Sequence, residues 1–239
     1  MTEQVKQLKE LTDGSDNIVF FGGAGVSTES GIPDFRSTGG LYHQEWQYPP
    51  ETILSHTFYE SNPEEFFRFY RTKMLPNGAL PNPAHQKLAQ WEREGKLKAV
   101  ITQNIDGLHQ AAGSREVLEL HGSVHRNYCE KCGRFYDLEF VKNSQGVPRC
   151  AACGGTVKPD VVLYEEGLDT RTMERALDFI ANADMLIIGG TSLNVYPAAG
   201  LIHYYRGNKL VLINKSEVAA DVRGALVIRE PIGEVMAQL

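Results

Sequence analysis

Asn17-Ile18-Val19-Phe20-Phe21-Gly22-Gly23-Ala24-Gly25-Val26-Ser27-Thr28 is the stretch that decides the fold of this chain. Asn17 to Phe21 is a short run rich in β-branched and aromatic side chains, as a strand covered on both faces should be. It passes straight into glycines. At a strand-to-helix turn, glycines let the backbone approach a pyrophosphate while amides and hydroxyls at the helix start take up its charge. The stretch departs from Gly-x-Gly-x-x-Gly, since Thr28 stands where the third glycine would be, and a plain tight turn fits the same residues. The continuation, Glu29-Ser30-Gly31-Ile32-Pro33-Asp34-Phe35-Arg36, resists a helix because Pro33 and the glycine force a loop. So polar a loop over a nucleotide site reads as a lid.

Working outward, further apolar runs lie at Leu97–Thr102, Val117–Leu120, Asp160–Leu163, Met185–Gly189, Lys209–Ile213 and Ala225–Ile228. They alternate with helical patterns, beginning with an amphipathic one in Met1 to Leu11. That alternation predicts an α/β fold: a doubly wound, mostly parallel, Rossmann-like sheet with helices on both faces. From Phe35 to Pro83 the chain is irregular and then aromatic-rich, with helical spacing at Phe58, Tyr59, Phe66, Phe67 and Tyr70. The expected organisation is a discontinuous dinucleotide-binding domain of residues 1–34, 84–123 and 159–239. A cofactor loop and helical insertion, 35–83, and a cysteine-bearing module, 124–158, would form a small flanking lobe.

That module carries Cys129-Glu130-Lys131-Cys132 and Cys150-Ala151-Ala152-Cys153, which are all four cysteines of the chain. Two Cys-x-x-Cys knuckles at this separation can deliver four thiolates to one tetrahedral zinc ion. Gly133, Gly154 and Gly155 follow the knuckles and allow the tight turns that aim amides at sulfur. A redox dithiol or two disulfides are the alternatives, but the doubled motif with no spare thiol favours zinc. An all-cysteine shell leaves no position for water or substrate, so the ion is expected to be structural.

The 239 residues, 42% hydrophobic and 23% charged, suffice for one large core and a small satellite. A formal charge of −6 argues against a nucleic-acid surface, which needs clustered Lys and Arg. No apolar run approaches membrane-spanning length. Retained thiols and the lack of a signal-peptide pattern predict a reducing, cytoplasmic setting. The oligomeric state is open, and a monomer is compatible with the composition.

Three more clusters follow apolar runs, where ligands bind in doubly wound sheets. In Thr102-Gln103-Asn104-Ile105-Asp106-Gly107-Leu108-His109, an extended backbone puts Asn104 and Asp106 on one side, suited to a carboxamide or ribose; an Asx turn opening a helix is the bland alternative. In Glu119-Leu120-His121-Gly122-Ser123, His121 offers an imidazole at a strand end with space beside it. Gly189-Gly190-Thr191-Ser192-Leu193 can supply amides and hydroxyls, and Asn214-Lys215 ends the next strand where adenosine could be held.

These motifs, in this order over nearly the whole length, resemble the sirtuins, the NAD-dependent protein lysine deacylases. The resemblance implies a cleft between the sheet and the small lobe, with NAD on one side and an acylated lysine of a protein substrate on the other. NAD would be consumed as co-substrate: the acyl oxygen attacks the nicotinamide-bearing ribose carbon, and His121 acts as base on a ribose hydroxyl. Free lysine, nicotinamide and O-acyl-ADP-ribose would result. By matching positions, Ala24, Thr28 and Arg36, on the Gly23 and Gly25 turn, would hold the phosphates. Phe35 would shield the reactive ribose, and Ile105 with Asp106 would hold the carboxamide. Gln103 and Asn104 would address the ribose, and Gly190, Thr191, Ser192, Asn214 and Ile232 would surround the adenosine side. His121, Asn104 and Asp106 are the expected catalytic set; Cys129, Cys132, Cys150 and Cys153 are the expected zinc ligands.

Two departures stand out. Where sirtuins usually read Phe-Gly-Glu, this chain has Tyr164-Glu165-Glu166 in the expected substrate-binding strand. Members preferring succinyl or malonyl lysine carry Tyr-x-x-Arg, whereas here Tyr70-Arg71-Thr72-Lys73 ends in lysine, a poorer carboxylate clamp than arginine's fork. Short neutral acyl groups such as acetyl are therefore expected. A mono-ADP-ribosyltransferase, or an NAD-sensing or zinc-ribbon binding protein without turnover, would be the alternatives from other classes.

Overall fold

The computed structural model describes residues 1–239 apart from 36, 38, 44 and 221 and the side chain of His43. In chain order the elements are α1 (Glu3–Asp13), β1 (Ile18–Gly22), α2 (Pro50–Ile53), α3 (His56–Ser61), α4 (Pro63–Phe69), α5 (Pro83–Arg93), β2 (Leu97–Thr102) and α6 (Leu108–Ala111). There follow β3 (Val117–Glu119), β4 (Gly122–Cys129), β5 (Phe135–Tyr136), α7 (Leu138–Asn143), β6 (Val157–Val161) and α8 (Thr170–Asn182). The chain closes with β7 (Met185–Gly189), β8 (Lys209–Ile213), β9 (Leu226–Ile228) and α9 (Ile232–Met236).

Among the described residues, six parallel strands pair in the order β3-β2-β1-β7-β8-β9. This is the doubly wound order, and the winding reverses between β1 and β7, the place where such sheets open a crevice for ligands. Strand β1 is buried throughout because successive side chains serve opposite layers. Ile18 and Phe20 pack with Leu88 and Trp91 of α5 and Val235 and Met236 of α9. Val19 and Phe21 pack with Ala176 and Ile180 of α8. At about 1.5–3 kcal/mol for each fully buried large apolar side chain, these two layers dominate the favourable side of folding.

The run expected at Asp160–Leu163 as another parallel strand behaves differently. It overlaps β6, which covers Val157–Val161 and pairs antiparallel with β4 in a three-stranded sheet ordered β5-β4-β6. Burial along β6 alternates, as a sheet with one wetter face requires. This sheet and α2 to α4 share one apolar core, in which Phe66, Phe67 and Tyr70 meet Val141, Val157, Cys129 and Cys150. The aromatic spacing noted above is realised as α3, α4 and a wide π turn over Tyr70–Met74.

At the glycine-rich turn the tight-turn reading holds, since no α-helix begins there. Strand β1 leads into two short 3-10 turns, Ala24–Val26 and Thr28–Ser30, and Gly31, at φ 84°, ends the second. The turn is pressed against the one after β7: Gly25 N donates to the Gly190 carbonyl at 2.8 Å. A side chain on Gly25 would stand 2.8 Å from Gly190 Cα, so the two loops meet backbone to backbone.

Candidate active site and metal centre

The carboxyl ends of β1, β2 and β7 lie level, with Gly22 opposite both Thr102 and Gly189. The loops leaving them carry most of the expected nucleotide-binding residues. Gln103 ties the three together: its backbone N donates to Gly22 O at 3.0 Å and its Nε2 to Thr191 Oγ1 at 3.0 Å. Thr28 Oγ1 donates to Gly25 O at 3.0 Å, closing the first loop on itself.

Asn104 and Asp106 converge, as an extended dipeptide spacing allows. Ser27 Oγ donates to Asp106 Oδ2 at 2.7 Å and accepts from Asn104 Nδ2 at 3.1 Å. All three side chains are buried. The Asx-turn reading holds at the same residue, because Asp106 Oδ1 accepts from Leu108 N at 2.9 Å at the start of α6. One carboxylate thus opens a helix with one oxygen and serves the cluster with the other. Ile105, between them, packs against the small-lobe core, and its carbonyl accepts from Val124 N at 3.0 Å.

His121 sits at the junction between β3 and β4. Leu120 N donates to Thr102 O and Val162 N to His121 O, so the residue is held from both sides. Its Nδ1 lies 3.0 Å from Gln103 O. A carbonyl oxygen can only accept, so Nδ1 carries the proton and Nε2 keeps its lone pair. Burial lowers the imidazole pKa from its ordinary value, opposed by the bond to Gln103. Gly122, at φ 77°, has no room for a side chain, which would collide with the Asp160 carbonyl oxygen of β6. That contact brings the small lobe against the histidine.

Phe35 is half-buried at the edge of the small-lobe core, its ring edge-on to Tyr42 with centroids 5.8 Å apart. Ala24 opens the first 3-10 turn, and Ser192 lies in the loop after β7, its carbonyl accepting from Ala219 N. Asn214 follows β8 and donates from Nδ2 to Ser216 O at 2.8 Å. The Ile232 side chain lies in the core, where its Cδ1 fills the space beside Gly189. Arg36 lies outside the described residues.

Two residues of the site were not singled out from the sequence. Ser27 was part of the quoted turn, yet nothing local marks it as the partner of residues about 80 positions away. Asn82 is the other. Its Nδ2 donates to Val26 O at 2.7 Å and Ser30 Oγ at 3.0 Å while its Oδ1 accepts from Ala84 N, so one buried amide caps α5 and anchors the glycine-rich loop. Asn-Pro before a helical pattern signals the cap, though not the anchor.

The Sγ atoms of Cys129, Cys132, Cys150 and Cys153 all lie within 4.8 Å of one another. The pairs Cys129–Cys153 and Cys132–Cys150 are 3.4 and 3.6 Å apart, close to the ~3.8 Å edge of a tetrahedron with 2.3 Å zinc–sulfur bonds. The donor set fits one zinc ion. Tyr136 Oη donates to Cys150 Sγ at 3.1 Å, and this bond holds the thiol down at about 6, ready to bind as thiolate.

A doubly wound sheet, with a half-buried imidazole beyond the carboxyl ends of β2 and β3 and a four-cysteine lobe beside it, defines a narrow class. The Sir2 family model matches residues 23–197. The NAD-dependent protein deacetylase of Clostridium acetobutylicum is 58% identical over 239 residues, covering 99% of this chain and 98% of that protein. A solved Sir2 structure with p53 peptide and NAD+ superposes with a TM-score of 0.87 at 38% identity, covering 100% of this chain and 97% of the other. A Sir2 complex with deacetylated p53 peptide and 3'-O-acetyl ADP-ribose gives 0.89 at 38% identity, with 98% and 96% covered. This chain belongs to the Sir2 family.

Proposed function

We propose that the chain is an NAD-dependent protein lysine deacetylase that moves the acetyl group of acetyl-lysine to ADP-ribose and releases nicotinamide. The observation that carries the mechanism is His121, whose Nδ1 is committed to Gln103 O and whose Nε2 is left basic beyond the carboxyl ends of β2 and β3. The deacetylase name and the peptide complexes of the relatives support the reaction class.

When bound, NAD supplies the glycosidic bond that releases nicotinamide and the ribose hydroxyl that receives the acyl group. The chain's own residues do the rest. Backbone amides around Gly23, Ala24 and Gly25, with Thr28, would hold the diphosphate, a task that suits an unblocked glycine turn. Asp106, oriented by Ser27, and Ile105 would orient the leaving carboxamide, while Asn104 and Gln103 would address the ribose. Phe35 would exclude water from a cationic sugar-like transition state. His121 Nε2 would take the ribose proton as general base. The zinc would act on structure alone, tying β4 to the segment before β6.

The substrate is a protein lysine carrying a short neutral acyl group. Four thiolate ligands suit the reducing cytoplasm. The test is mass spectrometry of an acetyl-lysine peptide incubated with and without NAD, beside a His121→Ala variant. NAD-dependent loss of acetyl with formation of nicotinamide and O-acetyl-ADP-ribose, slowed about 10²- to 10⁴-fold in the variant, is expected. Stable ADP-ribosylation of protein in place of deacetylation would replace this reading with the transferase.

A further inference from the structure

The segment Tyr164-Glu165-Glu166 is bolted to the helical insertion by every residue. Tyr164 N donates to Leu54 O and His56 N to Tyr164 O, both at 3.0 Å, as a parallel bridge beside Ser55. Glu165, at φ 77° where a non-glycine residue rarely stands, accepts at Oε2 from Thr57 N at 2.9 Å and Thr57 Oγ1 at 2.7 Å. Those two bonds hold the unusual backbone in place. Glu166 accepts from His56 Nδ1 at 2.9 Å, Leu163 N at 2.9 Å and Lys158 Nζ at 3.2 Å. The Tyr164 ring therefore projects from a rigid mount.

Its hydroxyl lies 2.6 Å from the hydroxyl of Tyr42. Tyr42 belongs to the loop that follows the glycine-rich turn, and it is attached to Phe35 twice. Tyr42 N donates to Phe35 O at 2.9 Å and the two rings meet edge to face. The hydroxyl pair thus joins the segment expected to meet acyl-peptide to the loop expected to cover the reactive ribose. A phenylalanine at position 164 would have no hydroxyl to make this bond.

We propose that Tyr42 and Tyr164 form a clasp that couples the two cosubstrates: ordering the Tyr164 segment with peptide also orders the Phe35 loop for the nucleotide. Tyr42 and Tyr164 are positioning residues, acting through Phe35 and the peptide-binding segment. The coupling is reciprocal, so each ligand raises the affinity for the other by one and the same factor. One exchangeable hydrogen bond at a half-exposed position sets its size at about two- to tenfold. The proposal rests on the deacetylase reading above.

The experiment is calorimetric titration of ADP-ribose into the protein with and without saturating acetyl-lysine peptide, a pair that does not react. It is run on the unaltered chain, Tyr42→Phe, Tyr164→Phe and the double variant. These changes keep both rings, and melting temperatures check the fold. The expected result is a several-fold tightening of ADP-ribose by peptide in the unaltered chain. That factor should fall towards one in either single variant and no further in the double. An unchanged factor in both single variants, or losses that multiply in the double, overturns the clasp. If both ligands bind the unaltered chain with no mutual effect, the clasp fails while the deacetylase reading stands. If neither ligand binds, both fail.

Discussion

The rings of His85 and His109 pack against each other in the layer between α5 and β1, centroids 4.7 Å apart, and three of their four nitrogens have no hydrogen-bond partner among the described residues. Only His85 Nδ1 is engaged, accepting from Asn82 N at 3.2 Å. Burial pushes His85 down to about 4, partly opposed by Asp106, and pushes His109 well below the ordinary histidine range, helped by His85 itself.

The linkage follows from that direction. A histidine whose pKa is lower folded than unfolded binds its proton preferentially in the unfolded chain, so it destabilises the fold as pH falls below the unfolded value of about 6.5. Stability is fully present above pH 6.5 and declines towards pH 4. For His85 alone the loss is of order 3 kcal/mol across that window. Urea denaturation at pH 7 and pH 4.5 checks it; equal midpoints at the two values would show that the pair is not buried neutral.

His121 carries a related but separate prediction. Burial lowers its pKa, and its neutral form is the base. The acid limb of kcat/KM for deacetylation should therefore lie below the ordinary 6.5, with activity lost as pH falls through it. A limb above 6.5 in the rate profile would contradict the neutral, carbonyl-anchored imidazole.

Ser27 is predicted to matter through its neighbours. Ser27→Ala leaves Asn104 Nδ2 and Asp106 Oδ2 without the hydroxyl they share inside a buried cluster. Losing a bond to a buried charged group should raise the KM for NAD roughly tenfold. Steady-state kinetics with NAD varied measures this, and an unchanged KM would mean that the cluster orders the protein without addressing the nucleotide.

Ser27 also shows where the reading of the chain stops. The switch-point sheet was legible because a strand covered on both faces leaves an apolar run, and all five main-sheet strands besides β1 were marked by such runs. The zinc lobe was legible because metal coordination fixes both residue type and spacing. Strand β6 was misassigned to the main sheet, because a short Pro-Asp-Val-Val run carries too few residues to separate half-covered from fully covered. The sequence leaves open whether a helix or a tight turn follows Gly25, for a tertiary reason: the Asn82 amide and the Gly190 loop hold that segment in 3-10 turns. Partners such as Ser27 with Asp106, or Tyr42 with Tyr164, are set by folding and leave no local trace.

The acyl preference brings fold and departure together. Tyr70 is fully buried and stacked on Phe66, with its hydroxyl unpartnered among the described residues, and Lys73 Nζ lies 5.9 Å from the Trp46 ring centroid. Arg71 is committed to Ser144 Oγ and Gly146 O. No guanidinium fork is thereby offered to an acidic acyl chain from this turn, and a lysine ammonium held near an aromatic face is a weaker carboxylate clamp. Acetyl-lysine peptide should turn over faster than its succinyl counterpart, by kcat/KM measured on matched peptides. Lys73→Ala should leave the acetyl rate within about twofold, as expected of a surface charge outside the chemistry. A succinyl preference that collapses in Lys73→Ala would reverse the assignment and make that ammonium the acyl clamp.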